Sequence, residues 1–182
     1  MRFTKLAIPE VILLEPEVYS DNRGFFFESF NHDNFEKIIG KKVNFVQDNH
    51  SFSHKGVLRG LHYQLEPKVQ AKLVRIISGE VFDVAVDLRK SSSTFGKWVG
   101  AILSADNKKQ LWIPAGFAHG FLSLVDCTQM LYKTTDYYAP ECERSIIWSD
   151  DQIGIDWPKV GEQKIADKDN AGAKLNKAEV YV

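Results

Sequence analysis

Short apolar segments separated by turn-forming residues recur along the middle of the chain. They are rich in valine, isoleucine and aromatic residues and are bounded by Gly, Asp, Asn, Ser and Pro, a pattern typical of β-strands. The segments cover residues 57–63, 73–77, 80–88, 98–103, 110–113, 120–125 and 130–135. Seven or more strands with little helix predict a mainly β sandwich or jelly-roll barrel, an architecture whose interior often holds a ligand.

One of these segments carries a polar residue inside an alternating apolar pattern. Between the apolar residues Phe82 and Val84, the sequence places Asp83. Because successive strand residues face opposite sides of a sheet, one face of this strand is expected in the core and the other toward a cavity or solvent. We therefore predict that the Asp83 side chain points into a cavity.

Helical patterns are few and short. Residues 33–39 start with polar side chains, carry Phe35 and Ile38 on one face, and stop before Gly40. Polar residues at the start and a glycine just after the end are typical helix boundaries. A second short helix is predicted near residues 167–173.

Composition limits the possible classes of protein. The length of 182 residues and the hydrophobic content of 44% suit one sizeable core, so we expect a single domain over residues 1–182. A net charge of −1 gives no reason to expect nucleic acid or an anionic membrane as a partner. Residues 1–18 are interrupted by proline and glutamate, and Cys127 and Cys142 have no metal-ligand or disulfide-framework spacing. We expect a cytoplasmic protein.

Two glycine-bounded segments each contain one histidine. Residues 56–64 read GVLRGLHYQ and include His62, and residues 114–121 read PAGFAHGF and include His119. Glycine lets the backbone bend closely, and apolar neighbours hold an imidazole in low polarity, where its protonation can be adjusted. Both histidines are candidate bases of one site.

A family resemblance rests on these two segments and on several others. The others are DNRGFFFESF from Asp21, FVQDNHS from Phe45, KLVR from Lys72, GEVFDVAVD from Gly79, YKTTDYY from Tyr132 and the pair Lys168 and Asp169. Together they resemble the dTDP-4-dehydrorhamnose 3,5-epimerases over residues 8 to about 169. The resemblance implies a cupin-type double-stranded β-helix, a jelly-roll barrel with a few short helices, an N-terminal strand segment and a C-terminal extension.

The same resemblance implies an isomerase activity. Its substrate would be dTDP-4-dehydro-6-deoxy-D-glucose, inverted at carbons 3 and 5 to dTDP-4-dehydro-L-rhamnose in dTDP-L-rhamnose biosynthesis. Inversion beside a ketone needs a base on one face of the sugar and an acid on the other. The resemblance assigns His62 as the base and Tyr132 as the acid, with Asp169 orienting the histidine.

The remaining site residues are implied for charge stabilisation and binding. Lys72 is the leading candidate to stabilise the oxyanion, with His119 assisting. Arg23 and Arg59 resemble the diphosphate contacts of the family. The nucleoside end and further binding positions comprise Phe25, Glu28, Gln47, Asn49, Tyr138, Glu143 and Lys168.

Strand geometry raises two questions about these assignments. Arg59 and His62 have an odd spacing and would face opposite sides of a regular strand, so we predict a bulge at Gly60. Phe26 would face opposite to Phe25 and Phe27, so we expect at least one of the three in the core.

Metal use and assembly are also predicted. A cupin metal site usually has a second ligand near the position of Gln64, and an amide there, with only His62 and His119 left as ligands, predicts that no catalytic metal is present. No other cofactor is expected. A homodimer is implied by the family and supported by the apolar segment 11–14, which could pair with a neighbouring sheet edge.

Three alternative functions remain open from the sequence. One is an epimerase that inverts a single centre, or a keto-isomerase, acting on a related dTDP-4-keto-6-deoxy sugar. Another is a metal-dependent cupin oxygenase, against which Gln64 counts. The third is a non-catalytic cupin that binds sugar nucleotides, because a fold alone does not establish chemistry.

Overall fold

The computed structural model describes residues 1–182 and consists mostly of β-structure. The helices are α1 (His32–Ile39), α2 (Asp167–Asn170) and a 3-10 helix (Leu175–Lys177). None of them combines the length and apolar character needed to cross a membrane. The strands are β1 (Arg2–Lys5), β2 (Ile12–Glu15), β3 (Val18–Asp21), β4 (Gly24–Phe27), β5 (Gln47–Ser53), β6 (Val57–Gln64), β7 (Lys72–Ser78), β8 (Glu80–Asp87), β9 (Trp98–Ser104), β10 (Gln110–Ile113), β11 (Phe117–Ser123), β12 (Thr128–Thr134), β13 (Glu143–Ser145) and β14 (Lys164–Ile165).

The strands form two large sheets and one separate hairpin. The first sheet has the order β1-β2-β10-β7-β12-β5, and the second has the order β13-β6-β11-β8-β9, with β14 added beside β6. Strands β3 and β4 pair only with each other. Apolar side chains of both large sheets share one core, which includes Val74 and Met130 from the first sheet and Val81 and Phe121 from the second. The predicted two-sheet barrel is confirmed.

Two further apolar clusters cover the outer faces of the sheets. On the first sheet, Phe35 of α1 packs with Trp112 and Leu73, which places the helix against the outer face. Asn31 caps the helix by accepting from the Asn34 N–H, and Gly40 ends it with a φ of 71°. The predicted first helix is confirmed, with its start one residue earlier. The outer face of the second sheet is covered by apolar side chains from the part of the chain that follows β13.

Several element boundaries differ from the sequence predictions. Strand β11 starts at Phe117, whereas the prediction started at residue 120, and its full length pairs with β8. Long-range ladder pairing therefore outweighs the weak strand preference of Ala118 and His119. The second helix is shorter than predicted and ends at Asn170. Strands β3, β4, β5, β13 and β14 were not predicted, since their sequences are short or polar.

The segment around residues 11–14 has a different role from the one expected. Strand β2 pairs with β1 on one side and with β10 on the other. Both of its edges are used within the chain, so it offers no free edge to a neighbouring molecule. This part of the dimer argument is wrong.

A register shift in β6 determines what the second sheet presents to the barrel interior. His119 is opposite His62, whereas Phe121, two residues further along β11, is opposite Arg59, three residues back along β6. The extra residue is a β-bulge, so Arg59 and His62 lie on the same face despite their odd spacing. The predicted bulge at Gly60 is confirmed.

Only glycine fits at the centre of this bulge. Gly60 has a φ of +132°, which side chains on L-residues rarely adopt, and a Cβ there would lie 2.5 Å from the Gly120 Cα. The atoms in conflict are backbone atoms of the adjacent strand. They cannot move without breaking the ladder between β6 and β11.

We expect Gly60→Ala to lower the free energy of unfolding by about 3 kcal/mol or more, since backbone strain and overpacking add. Gly161→Ala is the matched control, because Gly161 also has a positive φ, +91°, but no atom lies within 4 Å of a Cβ there. Gly161→Ala should lower the free energy of unfolding by only about 1–2 kcal/mol. Chemical denaturation of both variants checks this, and equal losses would show that the glycine contact is not tight.

Candidate active site

A cavity of about 650 Å³ opens between the two large sheets. Its lining comes from β5, β7 and β12 on one side, from β6 and β11 on the other, and from the segments around β13 and α2 at its mouth. Most of the site residues implied by the family resemblance meet there. They are Gln47, Asn49, Arg59, His62, Lys72, His119, Tyr132, Tyr138, Glu143, Lys168 and Asp169.

Strand register explains the wall contributed by the first sheet. Tyr132 is opposite Asn49, and Lys72 is opposite Thr134, two residues beyond Tyr132 on the same strand. Residues at even spacing share a face of a strand, and residues that are directly opposite share a face of the sheet. Tyr132, Asn49 and Lys72 therefore all face the cavity.

The opposite wall contains a histidine–carboxylate pair. His62 Nε2 lies 2.7 Å from Asp169 Oδ1, and the Gly60 N–H donates to Asp169 Oδ2 at 3.3 Å. The Asp169 side chain is 2% exposed, whereas the His62 side chain is 24% exposed. Two donors thus fix the buried carboxylate in place, and the imidazole is exposed to the cavity.

The protonation of this pair follows from its contacts. Burial raises the pKa of Asp169, but the hydrogen bond and charge of His62 and the Gly60 N–H together leave that pKa below its ordinary value. Asp169 is therefore an anion at neutral pH and accepts from the ring. A neutral His62 that donates Nε2–H to Asp169 has its lone pair on Nδ1, which is then the basic atom.

A second histidine–carboxylate pair lies beside the first. His119 Nε2 lies 3.1 and 3.0 Å from the two oxygens of Asp83. Burial lowers the pKa of His119, while the nearby charge of Asp83 opposes this shift. Asp83 is fully buried and does not line the cavity, so its side chain reaches the interior only through His119. The expectation that Asp83 itself points into the cavity is wrong.

Lys72 is the cation nearest to these groups on the first sheet. Burial lowers the pKa of Lys72 to about 8, although the charges of Asp83 and Glu143 oppose this shift. At pH 7 most of the ammonium groups are therefore still protonated. Such a cation, held away from bulk water, is suited to stabilising a developing oxyanion.

Tyr132 faces His62 from the opposite sheet. Burial raises the pKa of its phenol, although Arg59 opposes the shift. The phenol therefore stays protonated near neutral pH, and it can donate a proton.

Polar side chains at the mouth form a connected network. The Tyr138 hydroxyl donates to Glu143 Oε2 at 3.0 Å, and the Tyr138 N–H donates to Gln47 Oε1 at 3.0 Å. Gln47 Nε2 in turn donates to Asn49 Oδ1 at 2.9 Å. Lys168 Nζ lies 4.0 Å from Glu143 Oε1. The network holds the aromatic ring of Tyr138 at the entrance.

Gln64 has a structural role at the position where a cupin would carry a metal ligand. Its Nε2 donates to the carbonyl oxygens of Lys68 and Tyr137, and its Oε1 accepts from the Ala139 N–H at 2.9 Å. The contacts with Tyr137 and Ala139 anchor the segment around Tyr138, and the contact with Lys68 anchors the loop between β6 and β7. The structure has no group of three or more His, Cys, Asp or Glu side chains arranged to hold a metal ion.

Three implied binding residues lie outside the cavity. Arg23 forms an ion pair with Asp21, and the Glu28 carboxylate accepts from the Asn31 side chain. Phe25 is 60% exposed, with Lys108 Nζ 4.2 Å from its ring centre. The hairpin of β3 and β4 has no layer packed on its faces within the chain.

The expectation that one phenylalanine of this hairpin is in the core is wrong. Phe26 is 71% exposed, Phe25 is also exposed, and Phe27 is only partly buried. Alternation does hold, since the Phe25 and Phe27 rings contact each other. The pattern could not show that the hairpin stands apart from both sheets.

Some lining residues carry no family assignment in the sequence analysis. They are Ser51, Gln70, Phe121, Met130 and Lys164 among others. For Ser51 a signal was present, because it continues the alternation from Gln47 and Asn49 along β5. The alternation could identify its face but not its surroundings.

Comparisons with known proteins agree with this geometry. A sequence model described as dTDP-4-dehydrorhamnose 3,5-epimerase matches residues 5–177. The dTDP-4-dehydrorhamnose 3,5-epimerase of Shigella flexneri is 59% identical over 182 residues, which cover 100% of both chains.

Solved structures show the same similarity. The dTDP-6-deoxy-D-glucose-3,5-epimerase of Legionella pneumophila Philadelphia 1, in complex with dTDP-4-keto-L-rhamnose, has a TM-score of 0.95 at 51% identity, covering 98% of this chain and 94% of that one. A 3'-monoepimerase from Streptomyces bikiniensis, in complex with dTDP-quinovose, has a TM-score of 0.88 at 35% identity, covering 94% and 86%. The chain therefore belongs to the dTDP-4-dehydrorhamnose 3,5-epimerase family, whose members are cupin-type isomerases.

Proposed function

We propose that this chain inverts carbons 3 and 5 of dTDP-4-dehydro-6-deoxy-D-glucose, giving dTDP-4-dehydro-L-rhamnose for dTDP-L-rhamnose biosynthesis. One observation supports the proposal above all others. His62 and Tyr132 enter the same cavity from opposite sheets. A hexose ring bound between them has a base on one face and an acid on the other, as inversion requires.

The first half of each inversion removes a proton. His62 Nδ1 takes the hydrogen from the carbon beside the ketone, and the C–H electron pair moves into the ring as the carbonyl oxygen becomes an enolate. The imidazolium that forms is stabilised by the Asp169 carboxylate, 2.7 Å from Nε2. Lys72 stabilises the enolate oxygen, where the negative charge develops. His119 assists there as an imidazolium, because its Nε2–H is directed at Asp83 and a neutral ring has no second N–H to donate.

The second half returns a proton from the other side. The Tyr132 hydroxyl gives its proton to the same carbon on the opposite face, and the enolate electron pair forms the new C–H bond. The phenolate and the imidazolium then return to their starting states by proton exchange with solvent. No oxidant, reductant or metal ion takes part in this sequence.

The rest of the cavity suits the nucleotide. Arg59 and Lys168 supply positive charge for the diphosphate, and the planar guanidinium of arginine can contact two phosphate oxygens at once. Gln47, Asn49 and Glu143 provide polar contacts, and the Tyr138 ring provides a stacking surface for the base. The substrate therefore lies with its sugar at the catalytic groups and its nucleoside at the mouth.

We further propose that the chain acts as a homodimer in which the β3–β4 hairpin reaches the partner's cavity. The hairpin carries Arg23, Phe25 and Glu28, which the family resemblance assigns to the substrate, yet none of them lines the cavity of its own chain. Exposed aromatic side chains such as Phe26 and Tyr19 are common in protein interfaces. A two-fold dimer would give each cavity the missing arginine.

A reducing compartment suits this protein. Cys127 and Cys142 are both free thiols, and no disulfide crosslinks the chain. Free thiols persist where glutathione and thioredoxin keep cysteine reduced. We propose that the enzyme works in the cytoplasm.

A single-centre epimerase is the second candidate function. The similarity to the Streptomyces bikiniensis 3'-monoepimerase favours it, because the same fold is compatible with inversion at one carbon. The number of inverted carbons therefore has to be measured directly.

His62→Ala and Tyr132→Phe test the two catalytic roles. The protein is treated with a metal chelator, mixed with dTDP-4-dehydro-6-deoxy-D-glucose in deuterated water and followed by proton NMR. His62→Ala should lower deuterium entry at both carbons by about 10²–10⁴-fold, the usual contribution of a general base. Tyr132→Phe should keep exchange through His62 and lose the inverted product.

The controls for this experiment are His54→Ala and Tyr137→Phe, two exposed residues outside the cavity, which should behave as wild type. Wild-type exchange at one carbon alone would select the single-centre epimerase. Nucleotide binding without any deuterium exchange would indicate a non-catalytic binding protein. Loss of activity after chelation would favour a metal-dependent enzyme.

The lowered pKa of Lys72 predicts that kcat/KM depends on pH. Its pKa of about 8 lies below the ordinary lysine value, so the cation is lost as the pH rises through 8. We expect kcat/KM to fall above this pH, because the neutral amine stabilises the enolate less well. Lys72→Arg keeps its charge and should move the fall to higher pH, while Lys72→Met should lower kcat by about 10²–10³-fold. If the fall in kcat/KM occurs at the same pH in Lys72→Arg as in wild type, a group other than Lys72 causes it.

Mixed dimers test the position of the hairpin. The Arg23→Ala and His62→Ala chains, each inactive by itself, are unfolded, mixed in equal amounts and refolded together. If Arg23 serves the partner's cavity, mixed dimers contain one intact site, and about a quarter of the wild-type activity should return. If Arg23 serves its own cavity, every site keeps one defect and no activity returns.

A further inference from the structure

Ser51 carries an unusual hydroxyl in the cavity wall. Its Oγ is the one buried side-chain nitrogen or oxygen in the chain without a hydrogen-bond partner. Leaving a buried hydroxyl unpaired is unfavourable, and each such group in a native structure calls for an explanation. The residue lines the cavity, so the missing partner can come from a bound ligand.

The polar neighbours of Ser51 on the same face of β5 are already engaged. Ser53 Oγ accepts from Arg59 Nε at 3.2 Å, and Asn49 Oδ1 accepts from Gln47 Nε2 at 2.9 Å. Across the sheet, Ser51 is opposite Met130, whose side chain offers no strong donor or acceptor. No side chain on this face hydrogen-bonds to the Ser51 hydroxyl.

The position of Ser51 indicates which part of a ligand it meets. On one side, Ser53 supports Arg59, a diphosphate-binding residue of the proposed function. On the other side, Asn49 is opposite Tyr132, the proposed acid. Each neighbour is two residues away, about 7 Å along the strand. Ser51 thus lies between the phosphate contact and the reacting carbons.

We propose that Ser51 binds the 2-hydroxyl group of the hexose. This inference rests on the proposed function and adds a residue that positions the sugar. In the substrate, carbon 2 separates the phosphate-bearing carbon 1 from the reacting carbon 3, so its hydroxyl occupies the same intermediate place. The Ser51 hydroxyl both donates and accepts, as does a sugar hydroxyl, so the two groups are complementary.

The side chain can present its hydroxyl to the ligand by one bond rotation. Ser51 is partly exposed to the cavity as a residue, although its Oγ is shielded. Rotation about χ1 into another staggered position exchanges Oγ with a Cβ hydrogen. The substrate then supplies a hydrogen-bond partner that the protein itself does not provide.

The test compares wild type and Ser51→Ala with three ligands. Loss of one neutral hydrogen bond should raise KM for the 4-keto sugar nucleotide by about threefold to tenfold. The affinity for dTDP, measured by calorimetry, should not change, because dTDP has no hexose. Wild type and Ser51→Ala should bind a 2-deoxy analogue of the sugar nucleotide with equal affinity, because the analogue lacks the hydroxyl that Ser51 contacts.

Thermal unfolding separates this role from a structural one. Ser51→Ala removes an unpaired polar group, so its unfolding midpoint should be unchanged or higher by about 1–4 °C. Ser123→Ala is the matched control, since the buried Ser123 hydroxyl donates to the Val125 carbonyl at 2.9 Å. That variant should unfold at a lower temperature and keep the wild-type KM.

Each contrary result has a distinct meaning. A lower midpoint for Ser51→Ala with unchanged KM would assign the hydroxyl to the fold and overturn the proposal. An equal loss of dTDP affinity would make a phosphate oxygen the partner and overturn the assignment to the sugar. Wild-type turnover in the same series reports on the proposed function separately. A wild-type enzyme that binds the 2-deoxy analogue as tightly as the parent would also refute the contact, whatever the variant does.

Discussion

The contact between Gly60 and Gly120 is the constraint on which the active site depends. Two adjacent strands approach so closely there that a Cβ on either glycine would meet backbone or side-chain atoms of the other strand within 3 Å. The bulge at this contact turns Arg59 and His62 to the same face, and the freed Gly60 N–H fixes Asp169. One local irregularity thus brings Arg59, the proposed phosphate contact, and His62, the proposed base, into one cavity with Asp169.

The division of the site between two sheets has a second effect on the chemistry. The first sheet supplies Tyr132 and Lys72, whose protonated forms the proposed reaction needs. The second sheet supplies His62, His119 and Asp83, and α2 supplies Asp169. Burial lowers the pKa of Lys72 and His119 and raises that of Tyr132. Desolvation therefore favours the neutral form of each group, which keeps Tyr132 protonated and makes the Lys72 cation easier to lose than that of an exposed lysine.

Much of this arrangement could be predicted from sequence because its signals are local. Alternating apolar residues identified the strands of the core, and the odd spacing of Arg59 and His62 required the bulge. What failed depended on distant contacts. The burial of Asp83 behind His119, the use of both edges of β2, and the isolation of the β3–β4 hairpin follow from packing that no short segment contains. Whether the Ser51 hydroxyl has a partner likewise depends on every neighbour at once.

The placement of Tyr132 on a different sheet from His62 has an evolutionary consequence. Substitutions in β12 leave intact the ladder between β6 and β11, which holds His62, because β12 belongs to the other hydrogen-bonded sheet. The proposed acid can therefore be replaced in related sequences while the proposed base is kept. A barrel built in this way can yield new sugar products by a change at Tyr132 while the pair of His62 and Asp169 is inherited unchanged.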